Sequence, residues 1–192
     1  MQTITAINNM LIAAGEAVID EVDGTHPLEG SLLHLLGEVS NQEQSKGWWF
    51  NEYATDLAPD ANQNIAVPVG ASKVMAAAGL NRRIVQRGGF IMDQDTRSLI
   101  FDKPVRVRVT ELWEFEELPE TFARYVVTLA SLQAGMTYDS DAARVQALAS
   151  AVELARTPMM KEHVDNVRVN MLDTPSMLGK QVNGNLRRYG VR

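Results

Sequence analysis

Five glutamates in the second half of the chain have the residue type and the spacing to do chemistry. They are Glu111, Glu114, Glu116, Glu117 and Glu120. Two carboxylates on either side of a glycosidic bond can supply the acid and the base of hydrolysis. Tryptophan rings can stack on sugars, and the chain has three of them, Trp48, Trp49 and Trp113. One predicted function is therefore a polysaccharide hydrolase.

A structural interpretation of the same acids is favoured. They adjoin Pro119, and proline is well tolerated at the first position of a helix. Carboxylates near a helix N-terminus are stabilised by the helix dipole. We therefore expect an acidic edge or a subunit contact here, and no catalytic residue is predicted.

The three histidines, His26, His34 and His163, lie in different segments without the spacing of zinc ligands. His34 lies among leucines, which predicts a core or interface position.

Gly88-Gly89 follows an arginine, but no helical pattern comes after it, so a hairpin turn is favoured over a phosphate loop. No metal site and no cofactor are predicted.

Composition narrows the function classes further. The chain has 192 residues, no cysteine, a net charge of −6 and a pI of about 5.1. The absence of cysteine excludes disulfides and thiolate chemistry. The acidic balance argues against a protein that binds nucleic acid through phosphate contacts. The first apolar run carries no preceding Lys or Arg and is interrupted by Asn8, Asn9 and Glu16, so neither a signal peptide nor a membrane span is predicted.

One stretch has a clear strand period. Val105, Val107 and Val109 alternate with Arg106, Arg108 and Thr110, which predicts a strand buried on one face. Asp93 to Thr96 is a turn cluster, and Gly88-Gly89 is a second turn. Together they predict a small antiparallel sheet.

Apolar residues at three- and four-residue spacing predict helices on both sides of that sheet. The first covers residues 3–15 and can be capped by Thr3 or Thr5, and the second covers 29–46. The third runs from Pro119 to Gly135. The fourth starts at Asp139 or Ser140 and is interrupted at Thr157-Pro158, by a kink or by a restart that Thr157 would cap. Residues 72–78 are predicted as one or two further helical turns.

The sequence thus predicts an α+β fold with a helical core of about four helices. We expect one domain over residues 1–169, with the helical core at 3–46 and 119–166 and a β-rich insertion at 47–118. The predicted core residues are Ile7, Leu11, Leu32, Leu36, Phe122, Val126, Leu148 and Val152.

Residues 170–192 are predicted to be an extended C-terminal docking tail. The tail has scattered apolar residues and a basic end, which is too little apolar surface to fold alone and enough to anchor on a partner. The predicted docking residues are Met171, Leu172, Met177, Leu178, Leu186, Arg187, Arg188, Tyr189 and Arg192.

Several motifs, in the same order along the chain, resemble the tail tubular protein A family, the head-to-tail adaptors of short-tailed phages. The matching pieces are Ile7-Asn8-Asn9-Met10-Leu11 with Gly15-Glu16, Gly47-Trp48-Trp49-Phe50-Asn51, Arg87-Gly88-Gly89-Phe90 with Asp93, Phe101-Asp102, the run from Glu117-Leu118-Pro119-Glu120 through Phe122 and Tyr125 to Val127, and Asn170-Met171-Leu172-Asp173. Pro158 departs from the family, in which this helix is more continuous and acidic.

The resemblance implies a structural virion protein and no enzyme. Such proteins form a ring, usually a dodecamer, between the portal and the tail nozzle, near the tail fibres. Double-stranded DNA passes through the ring during retention and ejection without specific binding. The implied location is the portal-proximal tail of the virion, after assembly in the host cytoplasm. Besides the hydrolase, the remaining alternative is a binding module whose tail folds on a partner.

Overall fold

The computed structural model describes residues 1–77, 82–138 and 141–172, with side chains described as far as residue 167. The helices in this part of the chain are α1 (Thr3–Ala13), α2 (Glu29–Gln44), α3 (Glu120–Tyr138) and α4 (Ala142–Leu172). The strands are β1 (Glu52–Leu57), β2 (Ala71–Ala76), β3 (Ile84–Arg87), β4 (Phe90–Asp93) and β5 (Val105–Glu111), with a 3-10 turn at Phe115–Glu117. The predicted α+β fold class is confirmed.

Helix α3 is the centre of the helical core, because α1, α2 and α4 all pack against it. A helix surrounded on several sides needs small and apolar residues around most of its circumference. The buried residues of α3 fit this requirement; they are Phe122, Ala123, Tyr125, Val126, Val127, Ala130, Ser131, Ala134 and Gly135.

Gly135 does not end α3 as predicted, since the helix continues to Tyr138. A Cβ atom at this position would lie 2.9 Å from the Leu148 side chain and 3.3 Å from the carbonyl oxygen of Ala13. The missing side chain thus lets α1 and α4 approach α3 closely. Here the glycine serves helix packing rather than helix termination.

The predicted helical core is present. Seven of its eight residues are buried in one cluster, whereas Leu148 is half-buried and is not part of that cluster. Burying a Leu, Ile, Val or Phe side chain contributes about 1.5–3 kcal/mol each. The amphipathic pattern of the sequence was therefore sufficient to locate this core.

Strand β5 is the central strand of a three-stranded antiparallel sheet with the order β1-β5-β2. Val105, Val107 and Val109 are all buried, whereas Arg106 is exposed and Arg108 is half-exposed. The register pairs Val109 with Tyr53 of β1 on one side and with β2 on the other. The predicted burial of the three valines is confirmed, but Thr110, expected on the open face, is buried as well, so the strand is covered on both faces near its C-terminal end.

The buried face of this sheet belongs to a second hydrophobic core, separate from the helical one. The valines of β5 pack there with Ile65, Val74, Ile91 and Phe101.

Strands β3 and β4 form a hairpin whose two loop residues, Gly88 and Gly89, have φ angles of +58° and +81°. Positive φ at both loop positions is the requirement of a tight hairpin turn, and glycine meets it without strain. The predicted hairpin at Gly88-Gly89 is confirmed.

Residues 72–76 are not helical as predicted but form most of β2. Val74 lies opposite Val109 and is buried in the second core. The segment has no strong alternation of its own, and pairing with a distant strand determines its conformation.

The predicted restart at Thr157-Pro158 is also wrong, because α4 runs through this point as one helix. Val152 and Met159 are buried on either side of Pro158, while Pro158 itself is exposed. The Thr157 hydroxyl donates to the Glu153 carbonyl within the helix, so Thr157 is not an N-cap. Packing on both sides of the proline offsets the helix hydrogen bond that it removes.

The helix caps differ from those predicted. In α1 the Thr3 backbone N–H and hydroxyl both donate to Glu116 Oε1, at 3.1 and 2.9 Å, so the 3-10 turn supplies the capping carboxylate. In α4 the Asp141 Oδ1 accepts from the Ala143 N–H at 2.9 Å. The predicted caps Asp139 and Ser140 lie outside the described residues.

Substituting Leu36→Asp or Val126→Asp is expected to abolish folded, soluble protein. Both side chains lie in the helical core, and a buried unpaired charge costs several kcal/mol, comparable with the whole stability of a domain. Soluble yield and a thermal melting curve check this. Ser31→Asp, at an exposed position of α2, is the matched control and should melt like wild type. Normal melting of either core variant would contradict the core assignment.

Candidate interaction surfaces

A buried amide joins the helical core to the sheet. Gln44, fully buried at the end of α2, accepts a hydrogen bond from the Trp113 N–H at 2.8 Å through Oε1. Its Nε2 donates to the Trp113 carbonyl at 3.0 Å and to the Ser40 hydroxyl at 3.0 Å. Because Trp113 lies two residues beyond the end of β5, the last turn of α2 is tied to the segment that leaves the central strand.

A second buried amide, Asn51, completes this connection. Its Oδ1 accepts from the Trp48 N–H at 2.9 Å, and its Nδ2 donates to the carbonyls of Gln44 and Glu111, at 3.0 and 2.7 Å. One side chain thus links the end of α2, the turn before β1 and the end of β5. We call Gln44 and Asn51 together the amide joint.

Aromatic rings pack around the amide joint. Phe122 of α3 lies 5.4 Å from Trp48 and 4.9 Å from Phe50, as edge-on pairs. Trp113 packs on Phe50 at 5.3 Å. Such pairs contribute about 0.5–1.5 kcal/mol beyond their buried area. The aromatic run at residues 48–50 therefore anchors the start of the sheet in the helical core.

The tryptophans considered as sugar platforms are part of this packing. Trp48 is buried, and its Nε1 donates to the Glu43 carbonyl at 2.6 Å. Trp49 packs edge-on against Phe50 at 5.1 Å, and Trp113 is held as described above. Trp49 and Trp113 remain half-buried, and the contacts of all three rings favour a packing role.

Three of the five glutamates in the acidic run also have structural partners. Glu116 caps α1, and the two hydrogen bonds from Thr3 hold the pKa of its carboxyl below the ordinary value. Glu111 accepts from the Tyr53 hydroxyl, which raises the pKa of Tyr53. Glu120 Oε2 lies 3.4 Å from the N-terminal ammonium group. These contacts favour the structural interpretation of the run.

The arginines of β5 are paired across the sheet. Arg106 Nη1 lies 3.1 Å from Asp56 Oδ2, and Arg108 Nη1 lies 3.4 Å from Glu52 Oε1. Both acids are on β1, the antiparallel neighbour of β5. This face of the sheet is therefore locally close to neutral and is not a row of free cations.

The histidines lie apart from one another in the fold. His34 is exposed rather than in the core, and its Nε2 lies 3.9 Å from Glu38. His163 of α4 packs against Trp48 and Trp49, with ring centroids at 5.2 and 5.9 Å. In the part of the chain that the structure describes, no three His, Asp or Glu side chains gather as metal ligands.

The predicted docking residues lie at or beyond the end of the described chain. Met171 and Leu172 belong to the last turn of α4. The other seven fall outside the described residues; they are Met177, Leu178, Leu186, Arg187, Arg188, Tyr189 and Arg192. Helix α4 has 31 residues and is therefore about 46 Å long. The tail thus starts far from the N-terminal end of α4.

A groove between α1 and α3 was not predicted from the sequence. It consists of two adjoining clefts of about 650 and 560 Å³ that share Asn9, Val127 and Thr128. One end is bordered by Met1 and Glu120, and the other end by Glu16 and residues of α4. We call this feature the α1–α3 groove.

A sequence signal for the groove does exist. Its α1 lining is Gln2, Thr5, Asn9 and Ile12, followed by Glu16. Three- and four-residue spacing places these residues on one helix face. The face is mostly polar, so a search for apolar patterns does not find it.

Among the described residues, no helix is long and apolar enough to span a membrane.

Comparisons with known proteins match nearly the whole described chain. The family model described as tail tubular protein matches residues 4–172. Tail tubular protein A of Klebsiella phage KP34 is similar to this chain, with 26% identity over 174 residues. The match covers 91% of this chain and 93% of the phage KP34 protein.

Substituting Gln44→Ala is expected to lower the free energy of unfolding by about 2–4 kcal/mol, because the Trp113 N–H and carbonyl lose their partner in a buried setting. Chemical denaturation measures the change. Gln42→Ala, an exposed glutamine on the same helix, is the matched control and should change stability by less than about 0.5 kcal/mol. Equal effects of the two substitutions would show that the amide joint contributes little.

Proposed function

We propose that this chain, which belongs to the tail tubular protein family, is the subunit of a closed adaptor ring between the portal and the tail nozzle. Membership of the family makes it a structural protein of a phage tail. The observation that carries the proposal is the family match over residues 4–172, which includes both hydrophobic cores and all of α4. A closed ring of identical subunits requires head-to-tail contacts between two different surfaces of each chain.

The amide joint suits such a subunit. A ring closes only if every subunit presents its two contact surfaces at the same angle. Directional hydrogen bonds at Gln44 and Asn51 hold the sheet and the helices in one relative orientation. The subunit count implied by the resemblance is twelve.

The charge distribution suits a channel wall that DNA passes without binding. The chain carries a net charge of −6, and the β5 arginines are paired with acids of β1. Each phosphate that a protein neutralises adds affinity and slows passage. A wall with few free cations therefore allows retention and ejection of the genome.

The docking element in this proposal is the C-terminal tail, residues 170–192. It would leave the subunit body at the end of α4 and anchor on the portal or a neighbouring subunit. The tail nozzle contacts the other side of the ring, and the tail fibres are a further candidate partner there. The location is the portal-proximal tail of the virion, after assembly in the host cytoplasm.

A hydrolase remains the second candidate function and has less support. The three tryptophans proposed as sugar platforms pack within the protein, and Glu111, Glu116 and Glu120 have structural partners. Release of reducing sugar from bacterial polysaccharide by the wild type, and its loss on Glu114→Gln or Glu117→Gln, would support this candidate.

A binding module that forms no ring is the third candidate function. A protein that stays monomeric in the presence of portal would favour it.

Purified protein mixed with portal is expected to form a ring complex whose mass gives a single subunit number, twelve by resemblance. Native mass measurement checks this. The free subunit is expected to show no measurable affinity for duplex DNA at physiological salt, because the chain carries a net charge of −6 and its β5 arginines are paired with acids. Sub-micromolar DNA binding with a steep dependence on salt would instead favour a nucleic-acid-binding protein.

Truncation after Asp173 is expected to leave a folded, soluble subunit that no longer assembles with portal. The cut falls just after α4, so both cores and the amide joint are retained. An unchanged melting curve together with loss of the complex in native mass measurement is the expected result. Full occupancy on portal after truncation would place the contact in the body instead.

A further inference from the structure

Negative charge is concentrated at the start of the chain. The first 45 residues contain seven Asp or Glu and no Lys or Arg. Four of these acids lie between α1 and α2 and are exposed, namely Glu16, Asp20, Glu21 and Asp23. We call residues 16–23 the acidic loop. The loop itself carries four exposed acids and no base.

The acidic loop continues into the α1–α3 groove, since Glu16 lines both. At this end, the groove also offers apolar contact through Ile12, which is 57% exposed, and Leu148 of α4. Ser131 lines the same cleft and is only 4% exposed. Its hydroxyl is buried without a hydrogen-bond partner among the described residues. A buried hydroxyl without a partner destabilises the free subunit. One hydrogen bond from the backbone of a bound chain would remove this destabilisation.

The charge of the C-terminal segment is opposite to that of the loop. Residues 173–192 contain four Lys or Arg and one Asp, whereas residues 1–172 contain 14 Lys or Arg and 23 Asp or Glu. The same segment includes apolar residues that could enter the groove, including Leu178, Leu186 and Tyr189. The acidic loop therefore matches this segment in charge. The groove matches it in apolar character only, because its charged lining is two acids, Glu16 and Glu120, and two bases, Arg124 and Arg144.

The groove of the same subunit is a poor match by length. Arg144, at the groove, and Leu172 are 28 residues apart on α4, which is about 42 Å of helix. An extended segment would need about 12 residues to return that distance. The return would use up Met177 and Leu178 and leave about eight residues for the groove. In a neighbouring copy the groove need not lie 42 Å from the end of α4, so the whole segment is available for docking.

We propose that the acidic loop and the α1–α3 groove of one subunit receive residues 173–192 of a second copy of this chain. This rests on the proposed ring and names the contact that closes it. The two surfaces differ from each other, as a head-to-tail ring requires.

Disulfide crosslinking tests the contact, because the chain has no cysteine of its own. One full-length protein carries Val18→Cys in the acidic loop, and a second, larger tagged protein carries Val191→Cys in the C-terminal segment. Under mild oxidation in the presence of portal, we expect the mixed disulfide between them. Val69→Cys, at a fully exposed valine near β2, replaces Val18→Cys as the matched control and should crosslink about tenfold less.

Charge reversal tests the chemistry of recognition. Asp20→Lys with Glu21→Lys, or Arg187→Glu with Arg188→Glu, should each reduce the mixed disulfide about tenfold. Combining the two variants, one on each protein, should restore it. Reduced crosslinking without rescue would overturn the proposed pairing, since loss alone also follows from misfolding.

The remaining outcomes are distinguishable. A ring of normal mass whose Val18→Cys crosslinking is no greater than that of the Val69→Cys control overturns this contact and leaves the proposed function intact. A disulfide that forms only within one chain carrying both cysteines overturns the assignment to a second copy. Failure to form any ring with portal overturns the proposed function and this contact together.

Discussion

Two buried amides, Gln44 and Asn51, connect two hydrophobic cores that otherwise have separate sets of residues. Apolar contact is not directional, so aromatic packing alone would allow the sheet to shift against the helices. The amide hydrogen bonds are directional and end on backbone groups of Trp113, Trp48 and Glu111. Because those groups lie at the end of β5, two residues beyond it or in the turn before β1, any rotation of the sheet would break several bonds at once. The fold is therefore one body despite its two cores.

The sequence predicted best where burial produces a local pattern. The valines of β5 and the leucines of α2 repeat at the period of their own element, and both were placed correctly. Residues 72–76 were misjudged because their conformation depends on pairing with β5, more than 30 residues later. Pro158 was misjudged for a related reason. Local rules predict a helix break, but Val152 and Met159 hold the helix against the core on both sides.

The interaction surfaces were less predictable than the fold. Gln44 and Trp113 are 69 residues apart in the chain, and nothing in either local pattern predicts that they meet. Conversely, the glutamates and tryptophans drew attention because their side chains are chemically capable, although the fold uses them as caps, ion-pair partners and packing. The character of the C-terminal segment follows from composition alone. The groove that we propose as its partner required the arrangement of α1, α3 and α4.

The concentration of acids on the subunit body has a consequence for assembly. Bodies of the same sign repel one another, so subunits in solution gain little from contact between bodies alone. A basic segment that reaches the acidic loop of the next subunit reverses this balance at one defined place. The resulting attraction joins unlike surfaces, so each addition leaves one free loop and one free segment until the ring closes. Because exposed charges are screened by salt, ring closure through such a contact depends on the apolar and hydrogen-bonding part of the groove for its persistence at physiological ionic strength. In this arrangement charge selects the partner, and burial in the α1–α3 groove holds it.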